Sequence, residues 1–182
     1  MRPRVPARRL AATSVLGVAL FGLLLGCGGD PADGGSAELD GTSTPPWRAP
    51  TDVPARVASA GLDLGQMGMA EHYHPQLEII INGEQVPVPG NIGVDPSSGA
   101  MSAVHTHETD GTIHIEAGVA GELLTLGQLF TQWGVKLTTT QIGGVMANPG
   151  EKVTVTSNGS PVAGDPMALR LEPKQKIVVQ MP

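Results

Sequence analysis

The chain reads as a small, β-rich α+β domain, built of hairpins with one short helix packed on a sheet. Three observations predict this class. Asn82-Gly83 lies between two apolar runs in "LEIIINGEQVPV", the strongest short-range hairpin signal. "TLGQLFTQWG" carries one helical apolar face. Several further short runs alternate apolar and polar residues and end in Gly, Asn or Pro.

Taken along the chain, residues 1–26 come first. "MRPRVPARR" has four arginines and no acid, and an uncharged apolar stretch follows to Gly29. That is the layout of an export signal. Cys27, the only cysteine, ends "LLGC", which resembles the bacterial lipobox. Lipidation of Cys27 would make it the mature N-terminus and tether the rest to a membrane, outside the cytoplasm in the cell envelope. A plain N-terminal membrane helix is the alternative, since the run from Leu10 to Gly29 just suffices to span a bilayer. In either case the domain has no cysteine for a disulfide. Residues 27–57 are dominated by Gly, Pro, Ser, Thr and Asp, which predicts a flexible tether with Trp47 exposed in it. Such a coil reaches on the order of 30 Å.

Residues 58–182 are predicted to form a single globular domain, with its first element near Leu62. Pro87 and Pro89 place the second strand of the Asn82-Gly83 hairpin at a sheet edge or end it early. In the helix, Thr125 caps and Gln128 completes a capping box. Leu126, Leu129, Phe130 and Trp133 share one face, and Gly134 suits the residue after the end. "KVTVTSNGS" reads as a strand running into a turn at Asn158-Gly159, and "KQKIVVQM" as a final strand preceded by a short one at Ala168–Leu171. From residue 102 the order is strand, strand, helix, strand, strand, which is β-grasp-like; a compact β-sandwich is the alternative.

All five histidines fall in two short segments, "HYH" (His72, His74) and "HTHETDGTIH" (His105, His107, His114). With Asp110-Gly111 as a two-residue turn, His107 lies opposite His114 and His105 opposite Glu116. Side chains alternate along a strand, so these four share a face, and Val104, Thr106, Ile113 and Ile115 form the core face. A bulge at Gly111 would instead move His114 off that face. Neighbouring imidazoles on such a patch are roughly 5–7 Å apart at the backbone, close enough to lean onto one ion. Neutral imidazole is the ligand form and is the majority form at pH 7.

His105, His107 and His114 are therefore candidate metal ligands, with Glu116 as a fourth ligand or as a carboxylate holding a ligand ring from behind. His72 and His74 complete or flank the site. Met67 and Met69 lie just upstream. Thioether with imidazole donors favours a copper ion, and zinc comes next. The ordinary role of these methionines, and of Met101 and Met146, is core packing.

Charge narrows the partners. Without the four arginines of residues 1–26, seven basic residues face seventeen acidic ones, a net charge of −10. No Lys/Arg stripe is present, which argues against nucleic acid. A metal donor or acceptor protein and the membrane are the expected partners. Nucleophile-elbow, Walker and dinucleotide motifs are absent from the sequence, so nucleophilic catalysis has little support; a metalloenzyme with an open position on a three-histidine ion is a third reading. An envelope binding module with structural or pH-sensing histidines is the competing reading.

The patterns H-T-H-x3-G-x-I-H-x-E and T-L-G-Q-x-F-x-x-W-G resemble those of a family of uncharacterised exported or membrane-anchored prokaryotic proteins. His72, His74 and Gly164-Asp165-Pro166 extend the resemblance over about residues 70–182. It implies the domain boundary and no particular activity. Comparison with cupins fails on spacing, because Glu116 comes nine residues after His107.

Overall fold

The structure is a computed structural model that describes residues 43–182. The expected export signal, Cys27 and most of the expected tether lie outside the described residues. Helix α1 (Val53–Ser59) opens the fold. Strands β1 (Glu71–Tyr73), β2 (Gln76–Ile81), β3 (Glu84–Val86), β4 (Val104–His105) and β5 (His114–Ala117) follow. Helix α2 (Leu126–Trp133) leads to β6 (Gln141–Ile142), β7 (Val145–Met146), β8 (Thr154–Ser157), β9 (Ser160–Pro161), a 3-10 turn (Pro166–Ala168) and β10 (Lys176–Met181). This is a small α+β domain whose sheets do not close into a barrel.

Its largest sheet has the order β3-β2-β10-β8-β9, with β2 and β10 parallel and the other pairs antiparallel. Period-2 patterning buries Leu77, Ile79 and Ile81 of β2 beside Ile177, Val179 and Met181 of β10. Asn82 and Gly83 both take positive φ, 53° and 81°, as a type I′ turn needs, and β3 is an edge strand that stops at Val86, directly before Pro87. Asn158 and Gly159 make a second such turn, between β8 and β9. The expected strand at Ala168–Leu171 is instead the end of the 3-10 turn followed by a single bridge from Arg170 to Thr125. Asp165 caps that turn through Met167 N–H, and Pro166 fits its first position.

Helix α2 has both halves of its capping box and ends in a left-handed Gly134. Leu126, Leu129, Phe130 and Trp133 are fully buried. The helix packs against α1, the 3-10 turn and β4.

Two sequence expectations fail before residue 58. Trp47 is not exposed: only 3% of it is accessible. Its ring meets that of Trp133 edge-on, with centroids 5.8 Å apart. Its Nε1–H donates to the Ser43 carbonyl, and the Trp133 Nε1–H donates to the Arg48 carbonyl. Val53 and Val57 of α1 are also core residues. Residues 43–57 thus belong to the domain rather than to a tether. Burying an indole outweighs the Pro/Gly composition around it. Trp47→Ala is expected to lower unfolding stability by about 3–5 kcal/mol in urea denaturation of the full chain. A change within about 0.5 kcal/mol, normal for a surface site, would contradict this docking.

Candidate metal centre

A second, three-stranded sheet carries the histidines. Its order is β1-β5-β4, both pairs antiparallel. Central strand β5 sets His72 opposite Glu116 on one side and His105 opposite His114 on the other. Tyr73, Ile115 and Val104 alternate with them and turn to the opposite face, where Ile115 and Val104 are fully buried.

The expected register is wrong by two residues. His105, not His107, pairs with His114. Asp110-Gly111 is not a two-residue turn, because β4 stops at His105. Thr106 is taken by the preceding loop: its N–H donates to Ile92, its hydroxyl to Pro89, and its carbonyl accepts from Asn91 N–H. The segment after it is taken by β2, where Leu77 N–H donates to the Gly111 carbonyl. Gly111 has φ 84°, and a Cβ there would sit 2.0 Å from the Leu77 oxygen. A shift of two preserves side-chain parity, so the four residues still share a face.

That face is not simply a solvent face. His105 is fully buried and Glu116 is 7% accessible. His114 is half-buried, whereas His72, His74 and His107 are exposed. The rings converge. His105 and His107 bring their Nε2 atoms to 3.1 Å, and His72 and His74 bring theirs to 3.0 Å. The His114 ring centroid lies 4.6 Å from that of His74, 4.7 Å from that of His107 and 5.3 Å from that of His105. Two sets of three donors result: His105, His107, His114 and His72, His74, His114. Within each set the ligand atoms lie within 4.8 Å of one another. Small side-chain rotations would bring such nitrogens to the 2.0–2.1 Å typical of a metal–imidazole bond, on the order of the values for zinc.

Protonation favours ligation. Burial holds His105 down at about pH 4, against an ordinary 6.5, despite its hydrogen bond to the Ser102 carbonyl. That bond, 2.9 Å from Nδ1, places the proton of the neutral ring on Nδ1 and leaves the Nε2 lone pair facing His107. Burial also lowers His74, with His114 and His72 adding to the effect. Ser102 is fixed in turn by Gln132, whose side-chain oxygen accepts from the Ser102 hydroxyl at 2.9 Å.

Two carboxylates frame the cluster. Glu116 Oε1 is 3.5 Å from His72 Nε2, and its Oε2 is buried with no hydrogen-bond partner among the described residues. Glu108 Oε2 is 3.3 Å from His114 Nε2. Sequence reasoning missed Glu108 and Ser102. Glu108 adjoins His107 in sequence, so its proximity to the pair was a usable signal; the Ser102 role depends on a backbone carbonyl, which no residue type betrays.

No family model matches the chain, and no curated protein or solved structure is similar to it. The histidine groups can hold a metal ion, and the site rests on its own geometry.

The metal-free protein should lose stability in acid for a reason specific to His105. Its folded-state value is depressed, so the stability it contributes is complete above pH 6.5. As pH falls from 6.5 to about 4 the unfolded chain takes up a proton that the folded one refuses. The expected loss is about 3 kcal/mol over that window. Urea denaturation of chelator-treated protein at several pH values checks it. His105→Gln should flatten the slope, and an unchanged slope would contradict the assignment.

Proposed function

We propose that this protein is a lipid-anchored, extracytoplasmic metal-binding protein that captures, buffers or delivers copper, with zinc as the next best fit. One observation carries the reading: strands distant in sequence bring all five imidazoles into two donor sets that share His114. The rest of the proposal follows from charge, burial and the N-terminal sequence.

The set that contains the buried His105 is the resident position. His105 arrives neutral and oriented, and His114 and His107 complete three donors. Glu108 beside His114 and the buried Glu116 on the His72 side supply compensating negative charge around the cluster. The exposed set is the exchange position. His72 and His74 stand beside a cleft of about 730 Å³ that also includes Arg170, Glu172 and Lys174, open to a metal donor or acceptor protein. Because His114 serves both sets, one ion at a time is expected, moving between them as the ring changes partners.

Donor type favours copper: imidazole suits it in this centre, and the thioethers of Met67 and Met69 lie just upstream. Lipidated Cys27 would hold the domain at the membrane surface.

Elemental analysis and competition titration of the full chain, free of any histidine tag, test the reading. One tight equivalent of copper or zinc is expected. His114→Ala and the pair His105→Ala/His107→Ala should lose it, whereas His72→Ala/His74→Ala should keep it and exchange it more slowly. Glu116→Gln should weaken affinity by about 10–100-fold. No metal above background, or equal binding in all variants, would overturn the proposal.

A further inference from the structure

The methionines depart from their expected role in the core. Met181 is buried, but Met67 is 51% and Met69 94% accessible. Single exposed apolar side chains are common and need no explanation. Here Met67, Met69 and the half-buried Met101 line one cleft of about 640 Å³ whose other lining residues are uncharged. The only soft donors in it are three thioethers.

The backbone fixes this grouping. Gly65 and Met101 exchange two hydrogen bonds of 3.0 Å, which sets Met101 two residues across from Met67. Between Met67 and Met69, Gly68 N–H donates to the Glu116 carbonyl at 3.2 Å. A Cβ on Gly68 would lie 2.2 Å from the Ala117 carbonyl carbon. Only glycine lets the segment 67–69 press onto the end of β5, so Met67 and Met69 sit beside the strand that bears Glu116.

A smaller adjoining cleft, about 270 Å³, is shared by Met67, Met101 and Glu116. Glu116 is more than nine-tenths buried, its Oε2 has no partner among the described residues, and its Oε1 reaches towards His72 at 3.5 Å. The carboxylate therefore stands between the thioethers and the imidazoles. Thioethers are neutral at any pH and soft, and among biological ions they select Cu(I) over Cu(II) and zinc.

We infer that Met67, Met69 and Met101 form a second metal site, specific for Cu(I), adjoining the histidine centre across Glu116. An ion would leave it for the exposed histidines without change of oxidation state. The site stands on its own residues; only its role as a feeder rests on the histidine centre.

Anaerobic titration of the full chain with Cu(I) against a chromophoric Cu(I) chelator tests this, beside a parallel titration with Zn(II). The variant Met67→Leu/Met69→Leu/Met101→Leu keeps side-chain volume. It is expected to bind one fewer equivalent of Cu(I) and the same amount of Zn(II) as wild type. Replacing His105, His107 and His114 by Ala should abolish Zn(II) binding and retain the methionine-dependent Cu(I). In wild type, methyl resonances of the three methionines should shift on Cu(I) addition, and those of Met181 should not. Equal Cu(I) binding by the leucine variant, or loss of all Cu(I) with the histidines, would overturn the inference. Absence of Zn(II) and Cu(II) binding in wild type, with Cu(I) retained, would instead sink the histidine centre and leave this site standing.

Discussion

The pairing of β5 with a strand on each side is the constraint on which the centre depends. β5 has only four residues, His114–Ala117. Its backbone places His72 beside Glu116 and His105 beside His114, and so joins segments more than thirty residues apart. One residue of slippage in either ladder would turn half of the donors into the core and bring Tyr73 or Val104 out. Fully buried Ile115 and Val104 on the opposite face oppose that slippage, because exposing each would forfeit roughly 1.5–3 kcal/mol. The packing of an apolar face thus sets the geometry of a polar one.

Burial and chemistry oppose each other at His105. A ring with no solvent access is costly to protonate and is held neutral, with a lone pair aimed at its neighbour. Glu116 is the complementary case, a buried carboxylate with one oxygen left without a partner among the described residues. Each is poor material for stability by itself. Together they describe a site prepared for a cation, graded from the fully buried His105 through His114 to the exposed His72 and His74. Helix α2 contributes from behind, since Gln132 fixes the Ser102 segment that orients His105.

Local signals were legible in the sequence. The two Asn-Gly turns, the capping box at Thr125 and the apolar face ending at Trp133 depend on residues within a few positions of one another, and each forms as read. Non-local pairings were not. The Asp110-Gly111 turn loses to Leu77, which captures the Gly111 carbonyl from another sheet. Thr106 is drawn away by the loop at 89–92. Parity survives the resulting two-residue shift, which is why the candidate ligands still lie on one face although their partners change. Proximity of His72 and His74 to the other rings is a long-range pairing with no signature in either segment. Trp47 was misread because composition describes a segment's neighbours and not what it docks against. The methionines were misread because thioethers usually fill cores, and only accessibility separates Met67 and Met69 from Met181.

Long-range ¹H–¹⁵N correlation of the imidazole rings during a Zn(II) titration tests the central claim most directly, because zinc is diamagnetic and each ring nitrogen reports its own ligation. The account predicts that Nε2 of His105 and His107 and one nitrogen of His114 move together with the first equivalent, while Nδ1 of His105 keeps its proton on the Ser102 carbonyl. Five rings that titrate independently with pH and ignore a stoichiometric addition of metal would contradict it.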